Sequence, residues 1–468
     1  MPSVRNLWYK AVVQQTVVLL LLFGLPMTTS SNNPDLKRLE SELKELEART
    51  LKRETLQGAS LSLSRPKVAA MLQNWNPPAR IPEGYVPKDF EFVAQYIQQV
   101  RSHATTDNTR NMSICGNSGC LPDFFVMGPQ KSGTADTCSR LKAHKAILMP
   151  TKEPHFWTRR IHWIRGYKLG EQSQRKNSGT QTSVLERYFG YYFRKAHRAL
   201  AASQDFRVLD CSASNLWDIG TNVWTRCRKK DEEPTTATLT TQTGAPGANV
   251  AAATTCEELD DWKNLPPGFQ EYLVPHLLHA LLPSARFVLL VRDPIDRLYS
   301  DYYYFYKEHD IGRSSGRPSP ESFHFDCLEK VQQLSDCFEE HSSFGLCLWT
   351  PSYRYYNDDA CRVELSLYIL FLRVWMESSG YSASQFHIRP TSPGDNSATK
   401  WKSLLEFLDI TSTPDAVNKM LSFPQTLHSS SQHPPMLNKT RALLRDFFQP
   451  FNQALAAYLN NTEFLFAS

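Results

Sequence analysis

A glycine-containing loop between an apolar run and a helix-like segment constrains the fold of this chain more than any other feature. Phe124–Met127 are all apolar and predict a buried strand. The loop at residues 128–134 reads Gly-Pro-Gln-Lys-Ser-Gly-Thr, and residues 135–141 resemble the first turns of a helix. Such a unit turns backbone N–H groups and the positive end of the helix dipole towards an anion. The loop therefore predicts a cradle for a phosphate-like group, and an ordinary surface loop is the alternative.

A second predicted strand end carries an arginine. Residues 285–291 form an apolar run that ends directly before Arg292, and Ser300 lies about two turns into the helix-like segment that follows. An arginine at a strand end and a helix hydroxyl can hold one phosphate between them. The alternative is an arginine–aspartate surface pair beside a capped helix. Together, the two strand ends favour a bipartite nucleotide site.

Strand-like and helix-like segments alternate along the chain, which predicts an α/β fold. A third apolar run, residues 206–209, is also followed by polar loop residues and a helix-like stretch. We expect a P-loop-like parallel sheet flanked by helices, with ligands at the carboxyl ends of the strands. A further apolar helix is predicted over residues 363–376 and a strand over residues 386–388.

Length and charge limit the range of functions. With 468 residues, the chain has room for one large core plus appendages. Its formal net charge of +5 suits an anionic ligand or a glycan. That charge is too mild for a protein that coats nucleic acid, so we expect no nucleic-acid partner.

The N-terminal region predicts a localisation signal. Residues 11–27 are nearly all apolar and carry no charge, and Arg5 and Lys10 precede them. We interpret this segment as a retained type II membrane anchor with a cytosolic N-terminus. The alternative is a cleaved signal peptide with its cleavage site within residues 28–30. In both interpretations the remaining chain is lumenal or secreted.

Composition predicts the boundaries that follow the anchor. Residues 35–57 form a charged helix with leucines at a and d spacing, which either pairs two chains as a homodimer or is a solvated stem helix. Residues 57–87 have the composition of a linker, and residues 90–100 predict a docking helix. The expected organisation is a cytosolic tail (1–10), a transmembrane anchor (11–27), a stem (28–118) and a lumenal domain (119–468) with a flexible threonine-rich insertion (228–255).

Glycosylation sites and cysteines agree with a lumenal location. Three Asn-x-Ser/Thr sequons occur, at Asn111, Asn438 and Asn460. The ten cysteines include no Cys-x-x-Cys pair, so we expect disulfides and no metal site. The predicted pairs are Cys337–Cys347 and Cys227–Cys256, with Cys327–Cys361 and Cys115–Cys120 as further candidates. Cys138 and Cys211, beside the predicted site elements, are the candidates for free thiols.

Three segments resemble motifs of the Golgi carbohydrate sulfotransferases. Residues 128–134 resemble the loop that binds the 5′-phosphosulfate, and residues 292–302 resemble the 3′-phosphate motif. Residues 152–157, Lys-Glu-Pro-His-Phe-Trp, resemble the segment that follows the first helix in that family. The nearest group is the N-acetylgalactosamine 4-sulfate 6-O-sulfotransferases. The order of lysine and second glycine differs from a Walker A loop, which favours sulfuryl over phosphoryl transfer.

The resemblance implies 3′-phosphoadenosine 5′-phosphosulfate as the sulfate donor. Lys131 would contact the bridging and 5′-phosphate oxygens and neutralise charge as the S–O bond breaks. Arg292 and Ser300 would hold the 3′-phosphate. Ser132, Gly133 and Thr134 would make the remaining contacts with the sulfate donor.

The resemblance also implies catalytic and acceptor-binding residues. Glu153 would accept the proton of a sugar hydroxyl, and its alternative role is an ion pair with Lys152 or Arg159. His155 is the second candidate base, or a packed supporting group. The implied contacts with a sulfated glycan are Trp157, Arg159, Ser212 and Trp217, and the alternative is a basic rim with core aromatic residues.

The implied reaction sulfates a glycosaminoglycan, with the 6-hydroxyl of 4-sulfated N-acetylgalactosamine in chondroitin sulfate as the expected acceptor. Dermatan or heparan sulfate is the alternative acceptor. Departures from the family pattern keep a nucleotide- or glycan-binding protein without turnover as another alternative. Pro129 and Gln130 stand in inverted order, and Asp210-Cys211 stands where relatives have Gly-Glu. Ala135 replaces a threonine, residues 389–392 lack two acids, and residues 427–437 contain no lysine or arginine.

Overall fold

The computed structural model describes the globular part of the chain. The described residues are 64–77, 86, 90–102, 114–116, 119–149, 153–160, 185, 188–190, 206–217, 225–229, 254–258, 274–308, 318–348, 361–392, 397–423 and 433–466. All of them belong to one compact unit, Leu61–Ser468. The predicted anchor, the predicted stem helix, Asn111 and most of the threonine-rich insertion lie outside the described residues.

Nine strands and eleven α-helices are present among these residues. The strands are β1 (Cys115–Gly116), β2 (Gly119–Cys120), β3 (Phe124–Met127), β4 (Ile147–Leu148), β5 (Arg207–Cys211), β6 (Thr225–Lys229), β7 (Thr254–Glu258), β8 (Arg286–Arg292) and β9 (Phe386–Thr391). The helices are α1 (Arg65–Asn74), α2 (Glu91–Ser102), α3 (Thr134–Lys142), α4 (Val274–Leu281), α5 (Pro294–Glu308), α6 (Pro320–His341), α7 (Phe344–Leu348), α8 (Tyr368–Arg373), α9 (Ala398–Phe407), α10 (Pro414–Leu421) and α11 (Asn438–Tyr458).

Shorter turns complete the secondary structure. Three-residue or four-residue 3₁₀ turns lie at Ala213–Asn215, Val363–Ser366, Ala383–Gln385 and Thr462–Leu465. One-turn π-helical segments lie at Phe156–Arg160 and Val374–Ser378. The apolar helix predicted over residues 363–376 is therefore present in three pieces, a 3₁₀ turn, α8 and a π turn.

A five-stranded parallel sheet organises the domain, as the sequence predicts. The strands lie in the order β4–β5–β3–β8–β9, and every neighbouring pair is parallel. The first of these strands in the chain, β3, therefore occupies the centre. The connection that leaves β3 leads to β4 on one side, whereas β8 and β9 lie on the other side. This arrangement creates a topological switch point between β3 and β8, where open parallel sheets bind ligands.

The central strands are apolar because both faces of the sheet are covered. Phe125 of β3 pairs with Phe287 of β8, which pairs with Phe386 of β9, so three aromatic rings form a row on one face. The opposite face carries Val126 and Val288, which belong to a second buried cluster with α3, α9 and α10. A strand with two buried faces reads as a continuous apolar run, which is why these strands are recognisable in the sequence.

Helix α1 corrects the prediction that residues 57–87 are only a linker. Its Val68, Met71 and Leu72 are buried in the main hydrophobic cluster of the domain. Arg373 of α8 donates hydrogen bonds to the carbonyls of Leu72 and Trp75, at 3.3 and 2.7 Å. The local composition hid this helix because its exposed face is polar and its hydrophobic stripe is narrow. Helix α2 confirms the predicted docking helix.

The disulfides correct one further prediction. Cys138 of α3 is bonded to Cys211 at the end of β5, so the expectation that these two are free is wrong. They are 73 positions apart in the chain, and only the stacking of α3 over the end of β5 brings them together. The structure also joins Cys337 to Cys347, Cys327 to Cys361 and Cys115 to Cys120. Cys227 and Cys256 occupy opposite positions of the β6–β7 hairpin, and their bond stays a prediction.

Two of the three sequons lie on the surface of the domain. Asn438 begins α11 and Asn460 follows its end, and both are exposed. Within the described ranges, no helix has both the length and the apolar character that crossing a membrane requires.

The first prediction tests whether α1 belongs to the folded domain. Leu72→Ala removes a buried side chain from the main cluster, so it should lower the free energy of unfolding by about 2–4 kcal/mol. Gln73→Ala, on the exposed face of the same helix, should leave the stability within about 0.5 kcal/mol. Urea denaturation measures both. Equal stability of Leu72→Ala and the unchanged protein would show that α1 does not pack as described.

Candidate active site

The predicted site elements meet at one edge of the sheet. Strands β3, β5, β8 and β9 are parallel, so their carboxyl ends lie side by side. The loop at residues 128–133, called here the anion loop, follows β3. Arg292 ends β8, and Thr391 ends β9. The amide N–H of Glu153 donates to the carbonyl of Cys211 at the end of β5, at 2.7 Å, which brings the predicted base to the same edge.

The anion loop needs its glycines for two different reasons. A Cβ atom on Gly128 would lie 2.6 Å from the carbonyl oxygen of Leu290, so only glycine fits between β3 and β8 there. Gly133 precedes α3 with φ of 88°, in the left-handed region that glycine adopts without steric cost. Lys131 also has a left-handed backbone, with φ of 70°. The loop thus reverses direction within a few residues and begins α3 at Thr134.

Three consecutive carbonyl groups of the anion loop are held by side chains from neighbouring elements. Arg297 of α5 donates to the carbonyl of Gln130 at 3.4 Å. Arg292 Nη1 donates to the carbonyl of Lys131 at 3.1 Å. Thr391 Oγ1 donates to the carbonyl of Ser132 at 3.0 Å. The predicted pair of anion-binding elements, the loop with Lys131 and the strand end with Arg292, is therefore in direct contact.

Buried polar atoms in this region fit an anionic ligand. Among the described residues, Ser132 Oγ and Arg292 Nε are buried without a hydrogen-bond partner. Such atoms are rare in folded proteins and call for an explanation. Burial also lowers the pKa of Arg292, a sign that its charge is poorly solvated. An anionic group at each of these two positions would satisfy the donor there and, at Arg292, offset the cost of burying the guanidinium.

Helix α5 supplies two further groups to the site. Ser300 is buried within it, on the helix that begins directly beyond Arg292. Tyr304 places its ring 4.4 Å from Lys131 Nζ, in cation–π contact. The ammonium group of Lys131 is therefore turned towards α5.

A buried ion-pair network fixes α5 against the loop. Arg297 is fully buried and bonds Ser366 Oγ at 2.5 Å, in addition to the carbonyl of Gln130. Asp301, one turn along, pairs with Arg297 at 3.3 Å and with Arg362 at 2.6 Å. Sequence reasoning did not identify these positioning residues. The local signal was an arginine and an aspartate four positions apart in the helix-like segment after Arg292, and it does not reveal the bond to the anion loop.

The segment with Glu153 and His155 has a strained backbone. Both residues have left-handed φ values, 53° for Glu153 and 47° for His155. A non-glycine residue in this region costs about 1–3 kcal/mol and is concentrated at functional sites. Bonds to β5 and the turn after it hold the strained segment in place: Glu153 N–H binds the carbonyl of Cys211, and His155 N–H donates to Ser212 Oγ at 3.1 Å.

The His155 ring lies between Ser214 and Glu153. Its Nδ1 is 2.7 Å from Ser214 Oγ, which is itself 2.8 Å from Thr158 Oγ1. Its Nε2 is 3.7 Å from Glu153 Oε2. The Glu153 side chain is 37% exposed, so its carboxylate can meet a molecule that arrives from solvent. The arrangement places a reachable carboxylate next to an imidazole whose orientation is fixed.

A buried carboxylate lies beneath this segment. Asp210 of β5 accepts a hydrogen bond from the hydroxyl of Tyr188, which accepts one from Trp157 Nε1 at 3.1 Å. Burial raises the pKa of Asp210, while the hydrogen bonds from Tyr188 and Ser212 and the charge of His155 oppose that shift. An acid at the end of an apolar strand is the signal that could have identified it from the sequence.

The predicted acceptor contacts are mostly buried. Trp157 is 0% exposed and packs against Phe156, Tyr188 and Phe189. Trp217 is 3% exposed and Ser212 is 0% exposed. This burial suits the alternative of supporting core groups, and contact of these three residues with a glycan stays a prediction. The side chain of Arg159 lies outside the described residues, so its role stays a prediction.

Comparisons with known proteins agree with the predicted resemblance. Residues 121–347 match the family model described as "Sulfotransferase domain". Carbohydrate sulfotransferase 15 of Homo sapiens is 26% identical over 364 residues, which cover 74% of this chain and 54% of the relative. The protein of the same name from Rattus norvegicus gives the same identity and coverage. The resemblance to carbohydrate sulfotransferases is therefore confirmed, and the chain matches about half the length of these relatives.

A solved structure of a sulfotransferase from Alicyclobacillus acidocaldarius is also similar. It is 15% identical, and the match covers 73% of this chain and 96% of that chain with a TM-score of 0.36. A likeness at that TM-score adds nothing to the argument about the site.

The second prediction concerns Gly128. Gly128→Ala places a methyl group against the Leu290 carbonyl, so β3 and β8 must separate, and we expect a loss of about 2–3 kcal/mol in unfolding free energy. Gly133→Ala is the matched control, because its nearest neighbour, Thr391 Cγ2, is 4.0 Å away. Its unfolding free energy should fall by only about 1 kcal/mol, the cost of placing alanine in a left-handed backbone conformation. Urea midpoints compare the two. A smaller loss for Gly128→Ala than for Gly133→Ala would contradict the close approach of β3 and β8.

Proposed function

We propose that this protein transfers sulfate from 3′-phosphoadenosine 5′-phosphosulfate to a hydroxyl group of a glycan. One observation carries the proposal: the anion loop and the strand end of Arg292 are joined by a hydrogen bond, from Arg292 Nη1 to the carbonyl of Lys131 at 3.1 Å. Two anion-binding elements so close together suit a small ligand with two anionic ends. The donor nucleotide has this character, with a phosphosulfate at the 5′ position and a phosphate at the 3′ position.

The anion loop is the proposed site for the 5′ end of the donor. Gly133 and Thr134 lie at the start of α3, where N–H groups and the helix dipole attract an anion. Ser132, whose N–H donates to the carbonyl of Pro129, would contribute its hydroxyl. Lys131 would add a positive charge that stabilises the negative charge on the leaving phosphate. Arg292 and Ser300 are the proposed ligands of the 3′-phosphate, and Ser132 Oγ and Arg292 Nε are buried donors that suit these roles.

Glu153 is the proposed general base. The donor supplies the sulfuryl group: the bond between sulfur and the phosphate oxygen breaks, and a bond between sulfur and the acceptor oxygen forms. The acceptor hydroxyl loses its proton in this step, and Glu153, with its exposed carboxylate at the same sheet edge, would accept it. His155 would orient Glu153 and share its charge, and it remains the second candidate base.

The proposed acceptor is the 6-hydroxyl of 4-sulfated N-acetylgalactosamine in chondroitin sulfate. The support is the motif resemblance together with the relatives, which are called carbohydrate sulfotransferase 15. Dermatan and heparan sulfate are the competing acceptors. A Golgi location with a type II anchor at residues 11–27, and pairing of two chains as a homodimer, also stay proposals that rest on the sequence.

Transfer of radiolabelled sulfate to a panel of glycosaminoglycans tests the proposal. The panel contains chondroitin, chondroitin 4-sulfate, dermatan sulfate, heparan sulfate and their desulfated forms. We expect label on chondroitin 4-sulfate, at position 6 of the galactosamine after disaccharide analysis. Label on a different glycosaminoglycan would change the proposed acceptor and leave the proposed sulfate transfer in place. Nucleotide binding without label on any chain would instead support the binding protein without turnover.

The third prediction tests the base. Glu153→Gln keeps the size and hydrogen-bonding capacity of the side chain but cannot accept a proton, so turnover should fall by about 10²-fold or more. Affinity for adenosine 3′,5′-bisphosphate should stay the same, since Glu153 is not a proposed nucleotide ligand. Glu406→Gln, an exposed pair partner of Lys402 on α9, serves as the control and should leave turnover unchanged. Full turnover of Glu153→Gln would remove this residue from the mechanism.

The fourth prediction tests the 3′-phosphate site. Arg292→Ala removes charge-assisted hydrogen bonds, so the affinity for adenosine 3′,5′-bisphosphate should fall by roughly 10- to 100-fold in calorimetry. Arg286→Ala is the matched control at the opposite end of β8, where the side chain bonds the carbonyl of Phe407 and Asp409. It should keep the affinity. Equal losses in the two variants would contradict the assignment of Arg292 to the nucleotide.

A further inference from the structure

Thr391 lies between the two proposed phosphate sites. It is the last residue of β9, and its register partner in β8 is Arg292. Its hydroxyl donates to the carbonyl of Ser132 at 3.0 Å, with the carbonyl of Val291 as a second acceptor at 3.3 Å. Its methyl carbon is 4.0 Å from the position that a Cβ on Gly133 would occupy. One side chain thus contacts β8 and the anion loop.

The bond to Ser132 determines the direction of the next amide group. In a trans peptide the C=O and the N–H point in opposite directions. Because Thr391 holds the carbonyl of Ser132, the N–H of Gly133 must point away from Thr391. This N–H belongs to the N-cap residue of α3, where an anion gains most from the unpaired N–H groups. Without the hydroxyl, the left-handed backbone at Gly133 would let the peptide rotate.

We infer that Thr391 is a positioning residue that turns the Gly133 N–H towards the 5′-phosphate of the donor. This inference rests on the proposed function and deepens it. Thr391 does not itself bind the nucleotide. It acts through the peptide between Ser132 and Gly133, while Arg292 and Arg297 hold the two preceding carbonyls of the loop. Loss of the hydroxyl should therefore weaken the 5′ contact and leave the 3′ contact intact.

Three ligands separate these effects: adenosine 3′,5′-bisphosphate, adenosine 5′-monophosphate and adenosine 3′-monophosphate. Thr391→Val keeps the shape of the side chain but removes the hydroxyl that donates to the Ser132 carbonyl. The affinity for the bisphosphate and for the 5′-monophosphate should therefore fall about 5-fold. Affinity for the 3′-monophosphate should change by less than about 2-fold. Thr391→Ser keeps the hydroxyl and should restore binding of all three ligands. Ser335→Ala, which removes a hydroxyl–carbonyl bond inside α6, is the control and should change none of them.

The possible results point to different conclusions. Equal affinities in Thr391→Val and the unchanged protein would overturn the positioning role. Equal losses of affinity for all three ligands would also overturn it, because a general loss of folded protein produces that pattern. If Thr391→Val does not fold, the comparison of Thr391→Ser with Thr391→Ala carries the same test. If the unchanged protein binds none of the three ligands, the proposed function fails, and the inference fails with it.

Discussion

Three carbonyl groups in a row, those of Gln130, Lys131 and Ser132, are held by side chains that come from three different elements. Arg297 of α5, Arg292 of β8 and Thr391 of β9 each bind one of them. The N–H groups of Gly128 and Ser132 make backbone hydrogen bonds that help to shape the loop, and these side-chain bonds fix the direction of its three carbonyls. Because the same arginine that ends β8 binds the loop, the loop and the strand end keep a fixed separation. The rest of the site depends on that separation.

Strand β5 and the turn after it connect the proposed nucleotide site to the proposed base. Cys211 ends the strand, accepts the N–H of Glu153 and is bonded to Cys138 of α3. The helix that begins at the anion loop and the strained segment of Glu153 are thus attached to the same residue. Beneath them, Asp210, Tyr188 and Trp157 form a buried polar chain that supports the segment from the core. A base can act only when its distance from the reacting group is fixed, and these contacts fix Glu153 to β5.

Much of the fold could be predicted because parallel strands leave a direct signal. Phe124–Met127 and the run before Arg292 are continuous apolar stretches, and both are confirmed as strands, which the structure places side by side. Thr391 and Arg297 could not be predicted, because they act on carbonyls 259 and 167 positions away and leave no local pattern. The Cys138–Cys211 bond was missed for the same reason, since it joins segments 73 positions apart, and helix α1 was missed because its hydrophobic stripe is narrow. For Trp157 and Trp217 the sequence left two roles open, because an aromatic residue that suits a glycan surface also suits a core, and both are buried in this structure.

A crystal structure of the protein with adenosine 3′,5′-bisphosphate tests the central claim most directly. The account predicts one nucleotide at the switch point between β3 and β8. Its 5′-phosphate should lie within hydrogen-bond distance of Ser132 Oγ and the Gly133 N–H, and its 3′-phosphate should contact the Arg292 guanidinium. A nucleotide bound elsewhere, or with only one phosphate at this sheet edge, would contradict it.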